Sequence, residues 1–600
     1  MIRASLSLQL ITISIITLQR QLQHLNSSSR KSWDTNYDYI VVGAGAAGAV
    51  VAGRLSQNAN IRVLLLEAGG PETVITDIPA NYFSITGNPE FDWNYPIADQ
   101  PNIARAYNRP IHMSVGKVLG GSSTLSGMVY NRGNRNHFDE WHSRYGCLGW
   151  NYDNILQYFL RAENNTDSTY LMKNSKYHSN SGVMTVSSDW GHLNALPIFK
   201  TFIETAAMAG YPTIDVNGPT QLGSTLFQHQ IRDGIKVTTS SAYLTPNLNR
   251  NNLHIVTQAM VTKILFSGLN ARGIQFTRNG VQYSVDATRE VILSAGAIGS
   301  AKLLMLSGIG PKNHLNSFNI PVLSDLPVGN NFHDHTSVVL NFDILDQSQS
   351  YELVELTVQN LYEYYINSAG ALTMFPNAAT YQVTQVNNQK DWPDIMTEMT
   401  RSNNLWYNLS DITRQYGSHV KEWEDYWRPY VGRRLLLMYN QMVRPRARGT
   451  VRLASRDPNV DPIVDPNYLG DPYDMDSTVN GIRNMITRIS TVGPFAAQTR
   501  RITTTVPGCR KCGYDDECDE YLRCLVRQTA QAVYRHVGTC RCGSAADSKA
   551  VVDERLRVIN VKRLRVVDAS IMPQGVNSNH LPAAVMIAEY GSQMIQDDMA

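Results

Sequence analysis

Residues 37–69 read YDYIVVGAGAAGAVVAGRLSQNANIRVLLLEAG, and this stretch decides the fold. Tyr39–Val42 is a short apolar run of β-formers, and Arg62–Leu66 is another. Between them Gly43, Gly45 and Gly48 give the spacing G-x-G-x-x-G, followed by an alanine-rich helix. Strand, glycine turn, helix and strand make a βαβ unit that opens a parallel sheet. The first glycine permits the tight turn. The second lets backbone approach a pyrophosphate, and the third lets the helix pack closely on the strand. The helix N-terminus adds unpaired N–H groups and positive potential. Glu67 closes the second strand, 19 residues after Gly48, with Ala68 behind it. A carboxylate there can accept hydrogen bonds from an adenosine ribose. The glycines, both strands and the acid together predict a dinucleotide site, without choosing FAD over NAD.

A second strand-turn-helix follows at 290–310, EVILSAGAIGSAKLLMLSGIG. A third apolar run, LRVVDAS at 564–570, precedes a loop and a helix from Pro582 to about Ile595. We read these as one nucleotide-binding domain assembled from 37–125, 253–335 and 545–600. The stretches 126–252 and 336–544 are rich in aromatics, Asn and β-formers and predict an α+β substrate domain. At 600 residues and 43% hydrophobic content the chain can fill two large cores.

Lys+Arg number 53 and Asp+Glu 51, a net charge of +2, which excludes an electrostatic case for nucleic acid. The first 33 residues hold no acid, and a modest apolar run spans Leu6–Leu18. Residues 1–25 therefore read as a secretory signal, with a mitochondrial leader as the alternative and no stable membrane span. Sequons at Asn164 and Asn408 are compatible with secretion. A polar, Ser-rich stretch at 27–36 reads as a flexible lead-in. Of seven cysteines, Cys509, Cys512, Cys518, Cys524, Cys540 and Cys542 cluster, and Cys147 lies far away. CRKCGYDDECDEYLRC at 509–524 could hold zinc, but its second half is loose for a tetrahedral site. Disulfides are the expectation, with no metal and at least one cysteine left over.

GKVLGGSSTLSGMVYNRGNRNHFD at 116–139 strongly resembles the first signature of the glucose–methanol–choline (GMC) oxidoreductases. GAIGSAKLLMLSGIG at 296–310 resembles their second signature, and VVDERLRVINVKRLRVVDASIMP at 551–573 their C-terminal block. The likeness runs from about residue 37 to 597 and looks closest to the insect glucose-dehydrogenase-like branch. It implies a Rossmann-like FAD domain interleaved with a substrate domain on an antiparallel sheet. It also implies oxidation of a CH–OH group of a small-molecule sugar, alcohol or sterol, with hydride passing to flavin N5 and a quinone-like or unspecified acceptor. Carried over, Val118, Gly121, Ser122, Ser126, Gly127, Met128 and Val129 would line the cofactor. Val261 would meet the adenine through its backbone, and Asp568, Ala569 and Asn579 would lie by the cofactor. Leu125 stands where covalently flavinylated relatives carry histidine, so FAD should be noncovalent.

The family's base lies three residues before the glycine of a Gly-Thr-Cys triplet. Here that triplet is Gly538-Thr539-Cys540, and the base position holds Arg535, with His536 one residue late. The partner position falls on Asn579, with His580 again one residue past it. Arginine carries donors only and cannot take a proton near neutral pH. Either a bulge or turn brings His536 to the flavin, or alcohol oxidation is impaired and the chain is a flavin-binding relative. On an extended segment, neighbours point to opposite faces.

Overall fold

The computed structural model describes residues 2–599 except 28, 109, 189–196, 347–356, 374–376, 402–415, 418 and 514–516. The sequon at Asn408 lies outside the described residues, and Asn164 sits in a short strand, Glu163–Asn165. Two seven-stranded sheets organise the chain.

The first sheet grows from the glycine-rich unit. Asn36–Val42 pairs in parallel with Val63–Leu66, which pairs in parallel with Leu253–Val256. On its other side Asn36–Val42 pairs in parallel with the long strand Val281–Leu293, which also pairs in parallel with Leu564–Val566. Val63, Leu64, Leu65 and Leu66 are all buried, as expected for a strand covered on both faces by helices. Asn270–Arg278 and Met260–Ser267 extend the sheet antiparallel. Two helices carry the expected motifs, Gly48–Leu55 and Gly296–Leu306. The C-terminal helix runs Leu581–Asp597 and packs on Gly48–Leu55. Its buried Glu589 takes a two-bond grip from Arg54, and the Tyr243 hydroxyl donates to the same carboxylate.

The second sheet is antiparallel throughout. Its order is Thr499–Arg501, Thr336–Ile344, Leu435–Met442, Ile395–Arg401, Asn377–Gln382 and Gly223–Leu226, with Gln531–Ala532 on Thr336–Ile344. Register puts Ser337 opposite Gln441 and Glu398 opposite Tyr439. These side chains share one face with Asn377 and Thr400 and line the main cavity. This polar face is unusual for a strand interior, where alternation normally buries apolar groups.

Three disulfides form: Cys147–Cys542, Cys509–Cys524 and Cys512–Cys518. Cys509, Cys512, Cys518 and Cys524 are thus used up as bridges rather than as zinc ligands. Cys540 is the buried free thiol. A helix covers Ile2–Ser27, and among the described residues no helix is long and apolar enough to cross a membrane. The lead-in after it is partly tied down, because Arg30 N–H bonds Ile255 C=O.

Candidate active site

Gly43 follows the first strand at φ 96°, and its N–H bonds Leu66 C=O at 2.8 Å. A Cβ there would sit 2.5 Å from Ser294 C=O, so only glycine fits. A Cβ on Gly48 would run into the Gly43 carbonyl, which is the close helix–strand packing expected of the third glycine. Gly48 accordingly lies off the cavity wall, while Gly43 and Gly45 are on it. Gly121 has φ 54°, and a Cβ on it would sit 2.6 Å from Gly45 Cα. Gly120 N–H bonds Ala44 C=O at 2.9 Å. The pair at 120–121 thus serves first to let one glycine loop cross another.

Behind these loops runs a cavity of ≈ 620 Å³ that touches both sheets. At one end is Glu67, which accepts from Ala44 N–H at 2.9 Å and Gly69 N–H at 2.8 Å. Burial pushes its carboxyl up to about 7, against the pull of those N–H donors. Ala68 and Val261 line the same end, and pairing shifts register just after Val261. Such an irregularity frees backbone to face a ligand. Ser122, Ser126, Gly127 and Val129 line the middle. Asp568 accepts from Gly296 N–H, Ser300 Oγ and Ser570 N–H, and lies on the wall beside Ala569.

Two expected lining residues are off the wall. Val118 is fully buried in a cluster with Ile85, Phe91 and Leu125, and Met128 packs on Ile231. Their side chains serve the loop's own packing.

The other end of the cavity meets the polar sheet face. Tyr534 takes φ 63°, and its N–H and that of Arg535 bond the Asp334 carboxylate. This turn changes the expectation for an extended segment: Arg535 and His536 line one cavity together. Arg535 Nη1 donates to Gln441 Oε1 at 2.7 Å and lies 3.5 Å from His335 Nδ1. Burial lowers its pKa, opposed by the nearby Glu398 charge. His536 lines the cavity and buries Nδ1 without a partner. Burial holds its imidazole down to about 4, so it is neutral at pH 7. His580 also lines the cavity; it donates Nε2–H to Val576 C=O at 2.9 Å, and its Nδ1 is buried without a partner. Burial pulls it down to about 3. Asn579 and Leu581 also line the wall, so the C-terminal helix aims its positive end at the cavity.

Glu398, Gln441, Asn377 and His335 were not found by sequence reasoning. The polar alternation in TEMTR and YNQM was the available signal, but strand register alone brings Asn377, Glu398 and Gln441 to one wall.

The cradle fits FAD on its own evidence. Glycines at the loop crossing leave backbone open to the cavity. A carboxylate stands at one end, and the N-terminus of Gly48–Leu55 faces in beside the glycines through Ala46 and Ala47, a matched setting for a dinucleotide pyrophosphate.

A GMC oxidoreductase N-terminal family model matches residues 37–337, and its C-terminal companion matches 445–588. The chain is 32% identical over 586 residues to glucose dehydrogenase [FAD, quinone] of Drosophila melanogaster, covering 95% of this chain and 88% of the relative. It is 33% identical to ecdysone oxidase of Bombyx mori, covering 94% and 82%. Among solved structures it superposes on pyridoxine 4-oxidase from Mesorbium loti with TM-score 0.76 at 26% identity, covering 94% of this chain and 99% of the other. With two family models spanning most of its length and relatives above 30% identity, the chain belongs to the GMC oxidoreductase family.

Proposed function

We propose that the chain is an FAD-dependent dehydrogenase acting on a CH–OH donor, with His536 as the base and a quinone-like compound as electron acceptor. FAD, when bound, supplies the ring that accepts hydride. The observation that carries the reading is His536, a neutral imidazole on the cavity wall. It takes the donor's hydroxyl proton, which Arg535 cannot. Asn579 holds the donor oxygen, and the N-terminus of Leu581–Asp597 favours negative charge beside it. The segments 37–125, 253–335 and 545–600 carry the cofactor, and the polar wall from 126–252 and 336–544 receives the donor. FAD is held noncovalently, since Leu125 offers no nucleophile at the wall. Three disulfides support secretion. The name of the Drosophila relative supports the acceptor.

The test is anaerobic bleaching of the flavin band by an alcohol panel. His536→Ala should lose about 10²–10⁴-fold in reduction rate. Arg535→His should gain nothing. In the wild type, kcat/KM should rise with pH through about 4, as the base loses its proton, and stay level from about pH 6 upward. If Arg535→His instead restores a large rate, the base position belongs to residue 535. The wild-type chain is then a flavin-binding relative with impaired oxidation.

A further inference from the structure

We propose that Arg535 is a carboxylate-binding residue of the donor chamber, so that the alcohol taken there also carries a carboxylate. The inference rests on the alcohol-oxidising reading above and adds the substrate class.

Arg535 Nη1 is used by Gln441 Oε1 and faces His335 Nδ1, both neutral acceptors, since burial keeps His335 well below its ordinary pKa. Among the described residues Arg535 forms no ion pair. Its Nε and Nη2 have no acceptor either, and they are not among the buried orphan atoms, so they keep accessible surface on a residue that lines the cavity. A guanidinium drawn out of water without a counter-ion is costly.

The free edge is also the right one. Nε and Nη2 present two parallel N–H donors that match a carboxylate's two oxygens. Elsewhere in this chain the same edge does this work. Arg54 holds Glu589 through Nε and Nη2 at 2.9 and 2.7 Å, and Arg565 holds Glu290 through Nε and Nη2 at 2.6 and 3.0 Å.

The nearby acids are occupied. Glu398 lines the same cavity, but Asn377 Nδ2 covers one of its oxygens at 2.5 Å and Gln441 Nε2 the other at 2.8 Å. Gln441 stands between the acid and Arg535, with its carbonyl turned to the cation and its amide nitrogen to the anion. Asp334 is taken by the backbone N–H groups of Tyr534, Arg535 and His335 and by the Tyr468 hydroxyl. The chamber is therefore left with an unfilled, planar, cationic fork beside the proposed base and a helix N-terminus.

The test uses the FAD-loaded protein and acetate as probe, with acetamide as its neutral isostere, read by titration calorimetry. Acetate should bind at least about tenfold more tightly than acetamide. Arg535→Gln should weaken acetate by about ten- to a hundredfold, and Arg535→Lys, which keeps charge but loses the fork, should fall between. Flavin content checks that each variant is folded. Equal binding of acetate and acetamide, or unchanged acetate binding in Arg535→Gln, overturns the proposal. Anaerobic bleaching by glycolate against ethylene glycol separates the two readings. Bleaching by ethylene glycol with no Arg535-dependent acetate binding sinks the carboxylate site and keeps alcohol oxidation. Arg535-dependent acetate binding with no bleaching by any alcohol keeps the carboxylate site and sinks alcohol oxidation.

Discussion

His178 lies away from the cavity, between two carboxylates. Its Nδ1 meets Glu163 Oε1 at 2.7 Å, and its Nε2 meets Asp215 Oδ2 at 2.9 Å. Arg132, fully buried, grips Glu163 from the other side. Two cations thus face two anions in a water-poor site. Burial alone would lower the His178 pKa, but bonds to Asp215 and Glu163 outweigh it and raise it above 6.5. The folded chain therefore holds this proton more tightly than the unfolded one. Its stabilisation is fully present below about pH 6.5 and is lost as pH rises through the folded value. Asp215 runs the other way: burial raises its pKa, but the His178 bond and charge overcome this. Its share is present above its ordinary value of 3.8 and lost as pH falls. Wild-type Tm should decline from pH 7 to 9. His178→Gln should lack that decline and lose about 3–5 kcal/mol at pH 6, as for one broken partner of a buried pair. Parallel Tm–pH curves for the two proteins would count against the assignment.

At the scale of elements, the two glycine loops explain both what the site needs and what could be read in advance. Gly48→Ala would drive a methyl into the Gly43 carbonyl and should cost about 3 kcal/mol or more, with lost FAD content. Gly70 has open space at its Cβ and no positive φ, so Gly70→Ala should hold Tm and flavin within error. A Gly48→Ala protein as yellow and stable as Gly70→Ala would refute the packing argument. The βαβ unit was legible because its signals are local: glycines at fixed offsets, a buried apolar strand, and an acid at its end. The C-terminal helix and the strand before it were legible for the same reason. The polar wall was not. Ser337, Glu398 and Gln441 meet through the register of three strands far apart in sequence, which no local pattern encodes. Arg535 and His536 were legible as a displaced pair, and their shared cavity was not. It depends on Tyr534 at φ 63°, a conformation a tyrosine does not advertise.

At the scale of the whole molecule, the question is what ties the distant segments together. Cys147 follows the helix Arg135–Ser143, and Cys542 follows the segment bearing His536, 395 residues away in sequence. Gly543 N–H bonds Val552 C=O, and Cys542 N–H bonds Ile571 C=O, so the bridge anchors the strip on which Gly538, Thr539 and the base are strung. Closing a loop of this length removes about 6 kcal/mol of unfolded-state entropy in the chain model, an upper figure for so long a loop. Cys509–Cys524 and Cys512–Cys518 close short loops and add less. Cys540 is left buried among Thr539, Ser570 and Asp568, and burial pushes its thiol up to about 12, so it stays an unreactive thiol in the folded chain. The arithmetic gives a mass-spectrometric prediction. Protein unfolded in denaturant and alkylated without reductant should gain one alkyl group, on Cys540. With reductant it should gain seven. The double variant Cys147→Ser, Cys542→Ser should gain one without reductant and melt several degrees lower, since only the longest bridge has gone. Seven alkyl groups without reductant would mean that the chain is held by packing alone, and the case for an oxidising compartment would go with the bridges.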